Sequence, residues 1–125
     1  MASVSILELD GALVATLQGE LTDGAAVGLQ QDLAEAVVGV GARGVLIDIS
    51  GLELVDSFLA RTIYDIAAAT SLLAAETVVV GMRPEVAITL VELGLTLPGL
   101  RTARTVADGM ALLGIASPNR SAEGR

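Results

Sequence analysis

Two small polar residues, Asp56 and Ser57, stand between apolar runs in the stretch GLELVDSFLARTI, residues 51–63. A serine where a strand turns into a helix is where a hydrolase carries its nucleophile. This chain lacks the rest of that machinery. No glycine lies two residues before or after Ser57, and the sequence contains no histidine, no cysteine and no lysine. Ser–His and Cys–His nucleophile pairs and an ordinary zinc site are therefore excluded. So are a P-loop lysine, a Schiff base and the lysine of a receiver domain. Carboxylates, hydroxyls, arginines and backbone remain, a set better suited to being a substrate than to catalysis.

For Ser57 two readings coexist. Asp or Ser ahead of an apolar periodic run is usually a helix cap. If Asp56 is the cap, Ser57 becomes the first helical residue and its hydroxyl is free. Phosphate there meets the orphan N–H groups and positive dipole end of the helix, and Arg61 lies one turn on. Glu53 and Asp56 oppose it, so a modified surface becomes strongly anionic and changes which partners dock. Thr89, within VAITLVELG, is a weaker candidate, since a mid-helix threonine usually bonds back to the preceding turn. Asp48, Glu53 and Asp56 gather near one strand end as a candidate Mg²⁺ or acid–base group, although acidic residues are common there. Gly81-Met82-Arg83-Pro84 is a weak candidate for an anion-binding nest, without the glycine spacing of a nucleotide fingerprint.

The 125 residues fit one domain, and 53% are hydrophobic, nearly all aliphatic, with Phe58 and Tyr64 the only aromatics. That exceeds the usual ~45–50% and hints at surface buried against other subunits. Mean hydropathy is +0.71, yet the longest charge-free run, Gly109 to Asn119, has about eleven residues. A membrane span needs about 20, so no membrane association is expected. The opening MASVSILELDG has no basic start and carries Glu8 and Asp10, unlike a secretory signal. A cytoplasmic protein is expected, in keeping with the absence of cysteine. A net charge of −8 repels phosphate backbones, so nucleic acid is not an expected partner.

These residues need elements to position them. Runs at Val4–Leu9 and Ala12–Leu17 flank Asp10-Gly11, a strong hairpin signal. A helix follows, capped by Thr22 or Asp23, with Ala26, Leu29, Leu33, Ala36 and Val37 on one face and Gly39 and Gly41 ending it. VLIDIS, from Val45, reads as a central strand. A second helix runs from Ser57 to about Ala74, with Leu59, Ile63, Ile66, Ala67 and Leu73 facing inward. ETVVVGM is a further buried strand. Pro84 opens a third helix with Val86, Leu90 and Leu93 on one face, which Gly94 stops. LRTART suggests a short last strand, VADGMALLGI a last helix, and ASPNRSAEGR a disordered tail. The order β-β-α-β-α-β-α-β-α implies crossover connections. One α/β domain over residues 1–116 is expected, its mostly parallel sheet opened by a hairpin and packed against about four helices, with 117–125 as tail.

In that order, GVLIDISGLELVDSFLARTI (Gly44–Ile63) and VVVGMRPEVAITLVELGL (Val78–Leu95), with ELTD (Glu20–Asp23) before the first helix, resemble the STAS domain family. This is the anti-sigma-factor-antagonist fold. The likeness runs from about Val4 to Ile115, and within the family it is nearest to RsbS-type stressosome scaffold proteins. DSFLAR lacks the glycine-containing turn usual in free antagonists of the SpoIIAA type. The sensor paralogues usually carry threonines at their acceptor sites and a long N-terminal sensory domain, which this sequence lacks.

The resemblance implies a non-catalytic phosphoprotein that works by partner switching. Ser57 is then the main acceptor and Thr89 a weak second one, with Glu53, Asp56, Ser57 and Arg61 at the partner surface. The implied partners are an RsbR-type sensor paralogue in a self-associated or hetero-oligomeric scaffold, an RsbT-type serine kinase, and a PP2C-type phosphatase that resets the serine. ATP and Mg²⁺ belong to the kinase, so no cofactor or metal is expected in this chain. Two alternatives stay open: a free SpoIIAA-type antagonist of an anti-sigma kinase, and a small enzyme or nucleotide binder using Asp48, Glu53 and Asp56.

Overall fold

Asp10 and Gly11 both take positive φ, 52° and 88°, the conformation a two-residue turn needs to match strand twist. They join β1 (Ser3–Leu9) to β2 (Ala12–Gly19) as an antiparallel hairpin, with Leu7 opposite Val14 and Leu9 opposite Ala12. The computed structural model describes residues 3–94 and 100–115. The expected tail at 117–125 lies outside the described residues.

After the hairpin the chain alternates: α1 (Asp23–Val40), β3 (Gly44–Leu52), α2 (Ser57–Leu72), β4 (Glu76–Val80), α3 (Pro84–Glu92), β5 (Arg101–Ala103) and α4 (Val106–Leu112). The five strands lie in the order β1-β2-β3-β4-β5, and each pair after the first is parallel. This is the α/β arrangement that the sequence implied, a mostly parallel sheet opened by a hairpin and packed against four helices among the described residues. The α1 cap falls on Thr22, whose Oγ1 accepts from Ala25 N at 3.2 Å, and Gly41 closes the helix in the left-handed region at φ 65°.

Strand alternation splits the core into two layers. Leu13, Ala15, Leu17, Val45, Ile47, Ile49 and Val79 meet α1, α2 and the inner side of α3. Ala12, Leu46, Val78 and Val80 face the other way and are met by Met110 and Ile115. Of the expected inner face of α1, Ala26, Leu29, Leu33 and Val37 are buried and Ala36 is partly buried. The two helices after it end sooner than expected. α2 stops at Leu72, Ala74 turns the chain at φ 64°, and Leu73 is exposed rather than inward. The inward place one turn beyond Ile66 belongs to Thr70, whose Oγ1 lies 2.7 Å from Thr77 Oγ1 on β4. Likewise Leu93, past the end of α3, is half exposed, while Val86 and Leu90 are buried.

Candidate functional site

In a parallel array every strand-to-helix loop emerges at the carboxyl end of the sheet. Four loops emerge there, and those leading into α1, α2 and α3 adjoin the candidate residues. The end of β3 and the loop that follows it into α2 are tied down on both sides. Glu53 N donates to Gly19 O at the end of β2 (3.0 Å), and Arg83 Nε from the loop before α3 donates to Ser50 O (3.1 Å). Val55 is buried and anchors the loop in the core. Gly81 lets the third loop approach this closely: its φ is 76°, and a Cβ there would lie 2.8 Å from Ser50 Cβ.

On this fixed base Asp56 is the α2 cap. Its backbone is extended, with φ −97° and ψ −178°; its Oδ1 accepts from Leu59 N at 2.9 Å, and its carbonyl accepts from Ala60 N at 3.0 Å. One orphan donor of the first turn is thereby satisfied without any help from Ser57. Ser57 is the first helical residue and is exposed, as are Glu53, Asp56 and, one turn on, Arg61. The structure thus brings the four expected partner-surface residues together at one pole.

Around them the pole carries Glu20, Asp23 and Glu85, all exposed. Leu54 is 56% exposed and Phe58 40%. These apolar side chains flanking Ser57 were not singled out from the sequence. A signal for Phe58 was present, since it falls outside the face set by Leu59, Ile63 and Ile66. Exposed apolar side chains among exposed carboxylates at a helix start have the make-up of a protein contact.

Thr89 is elsewhere, on the exposed side of α3, and its hydroxyl donates to Glu85 O at 2.9 Å, the back-bonded arrangement. Asp48 does not join Glu53 and Asp56. It is half-buried, and its Oδ1 accepts from both Ser50 N (2.9 Å) and Ser50 Oγ (2.7 Å). Among the described residues no group of three acidic side chains is arranged to hold a metal ion. In the weak nest candidate at Gly81–Pro84, Gly81 N is already bonded to Ala103 O (3.1 Å), and the Arg83 side chain is turned to Ser50 O through Nε. No described helix is long and apolar enough to cross a membrane.

A family model described as the STAS domain matches residues 3–109. The RsbT co-antagonist protein RsbRD of Bacillus subtilis is 32% identical over 102 residues, which make up 82% of this chain and 37% of that protein. The chain thus spans about a third of the length of RsbRD and of the related RsbRA of the same organism. Among solved structures, a serine-to-glutamate variant of Moorella thermoacetica RsbS is 37% identical with a TM-score of 0.77, over 89% of this chain and 94% of that one. A chain from the molecular architecture of the stressosome is 34% identical with a TM-score of 0.71, over 88% of this chain and 96% of that one.

Proposed function

The chain belongs to the STAS domain family, and from that premise we propose that it is a non-catalytic stressosome component that holds a serine kinase and releases it when Ser57 is phosphorylated. Similarity to RsbR co-antagonists and to RsbS supports the stressosome setting. A serine at the acceptor position favours the RsbS-type role over that of a sensor. Partners on this reading are an RsbR-type sensor paralogue within a mixed scaffold, an RsbT-type kinase and a PP2C-type phosphatase.

The observation that supports the mechanism is the division of labour between two neighbours. Asp56 caps α2 through its own carboxylate, so Ser57 is exposed and structurally dispensable. Phosphate at Ser57 adds about −1.5 to −2 charges beside Glu53 and Asp56. The N-terminus of α2 and Arg61 stabilise that charge locally, so the domain stays folded. A partner that docks on Leu54 and Phe58 then meets one more anion beside the carboxylates of Glu53 and Asp56, and the kinase leaves. Release comes from altered docking, not from unfolding.

The test is binding of the cognate RsbT-type kinase to the wild type, Ser57→Ala and Ser57→Asp. Wild type and Ser57→Ala should bind alike, and Ser57→Asp should bind about tenfold or more weaker, as expected for like charges brought together at a contact. Undiminished binding by Ser57→Asp would remove charge-driven release.

A further inference from the structure

β3 outruns one of its neighbours. It pairs with β4 only from Gly44 to Asp48, whereas on its other side the ladder to β2 continues to Leu52 and is extended by Glu53 N on Gly19 O. Residues 49–52 therefore form an overhang with a partner strand on one side only. Ser50 lies within this overhang, and side chains take the place of the missing strand. Its N–H donates to Asp48 Oδ1 at 2.9 Å, its hydroxyl to the same oxygen at 2.7 Å, and its carbonyl accepts from Arg83 Nε at 3.1 Å. Gly81 seats the Arg83 loop against this group, since a Cβ there would lie 3.1 Å from Asp48 Oδ1.

Ser50 is exposed, so water would satisfy its polar groups if either side chain were lost, and stability gains little from these ties. What water does not supply is a fixed position for the end of β3. That position matters for the acceptor. Asp56, Ser57 and Phe58 are exposed between buried Val55 and buried Leu59, so core packing alone does not fix the Ser57 hydroxyl. The course of the loop that carries the Asp56 cap does.

We propose that Asp48 and Arg83 are positioning residues for phosphorylation of Ser57: by holding the overhang of β3 they present the acceptor loop to the kinase in one arrangement. This role deepens the reading above and rests on it. In the transfer, Ser57 Oγ bonds to the γ-phosphorus of the kinase's ATP as the bond from that phosphorus to the β-phosphate oxygen breaks. ADP leaves, and the hydroxyl proton passes to a base on the kinase. Apolar docking on Leu54 and Phe58 tolerates small shifts of the loop. In-line transfer does not, since a misplacement of about 1 Å costs up to about 100-fold in rate. The ties accordingly act on kcat rather than on KM.

The test is the rate of Ser57 phosphorylation by the cognate RsbT-type kinase with ATP, followed over a range of concentrations of the full chain. Arg83→Met and Asp48→Ala should each lower kcat by about tenfold while KM stays within about twofold. Arg83→Lys, which keeps a donor, and Asp48→Asn, which keeps an acceptor, should recover most of that loss. The two side chains carry opposite charges, so a shared loss of kcat separates positioning from a charge contact with the kinase. A change confined to KM, or no recovery in either conservative variant, overturns the proposal. A second measurement needs no kinase. Amide hydrogen exchange at Glu53 should quicken by about tenfold in Arg83→Met, with Ile63 and Ile66 within α2 as in the wild type. Unchanged exchange at Glu53, or faster exchange throughout α2, overturns the proposal. A wild type that takes no phosphate on Ser57 overturns the reading above and the kinetic role with it, while the exchange contrast persists.

Discussion

The two ends of α2 use hydroxyls in opposite ways. At its carboxyl end Thr70 is buried, donates to Ala67 O at 3.1 Å and lies 2.7 Å from Thr77 Oγ1. A hydroxyl has one proton, so Thr70 must accept from Thr77 while it bonds back to its own helix. Both groups are committed to joining α2 to β4. At the amino end the fold relies on the Asp56 carboxylate, and the neighbouring hydroxyl of Ser57 stays at the surface. A hydroxyl that the fold needs cannot be modified without loss of structure. One that the fold ignores can become a signal.

This contrast can be sharpened by substitution. The largest loss of stability is expected at the carboxyl end, where Thr70→Val strands the Thr77 hydroxyl and should cost about 1–3 kcal/mol in denaturant unfolding. Thr70→Val combined with Thr77→Val should recover most of that cost, because no buried polar group is left unpaired. A double variant as unstable as the single one would mean that shape, not hydrogen bonding, decides the site. At the amino end Asp56→Ala removes the cap and should cost about 0.5–2 kcal/mol by the same measurement. The smallest effect belongs to Ser57→Ala, within about 0.5 kcal/mol of wild type, as for other exposed positions. A cost for Ser57→Ala as large as that for Asp56→Ala would erase the division of labour.

Much of this architecture is legible in the sequence because it is set locally. Asp10-Gly11 between two apolar runs fixes the hairpin, and Asp56 before an apolar periodic stretch fixes the start of α2. Features that depend on register across the sheet are not. The pairing of Thr70 with Thr77 requires knowing where α2 lies on β4, so periodicity assigned the inward place to Leu73, which is exposed. Proximity in sequence also grouped Asp48 with Glu53 and Asp56. In the fold the Asp48 carboxylate bonds to Ser50, two residues on within β3, instead. That the Ser57 hydroxyl is left free follows from local chemistry and its reading as an acceptor from the family resemblance, whereas the tie between Arg83 and Ser50 beside it joins residues 33 apart.

The central claim is that Ser57 is the hydroxyl the kinase uses, with Thr89 at most a minor site. Mass-spectrometric mapping of phosphate after incubation with the cognate RsbT-type kinase and ATP tests it most directly, on wild type, Ser57→Ala and Thr89→Ala side by side. The account predicts one phosphate on Ser57 in the wild type and in Thr89→Ala, and none in Ser57→Ala. Phosphorylation of Ser57→Ala to the wild-type extent would contradict it.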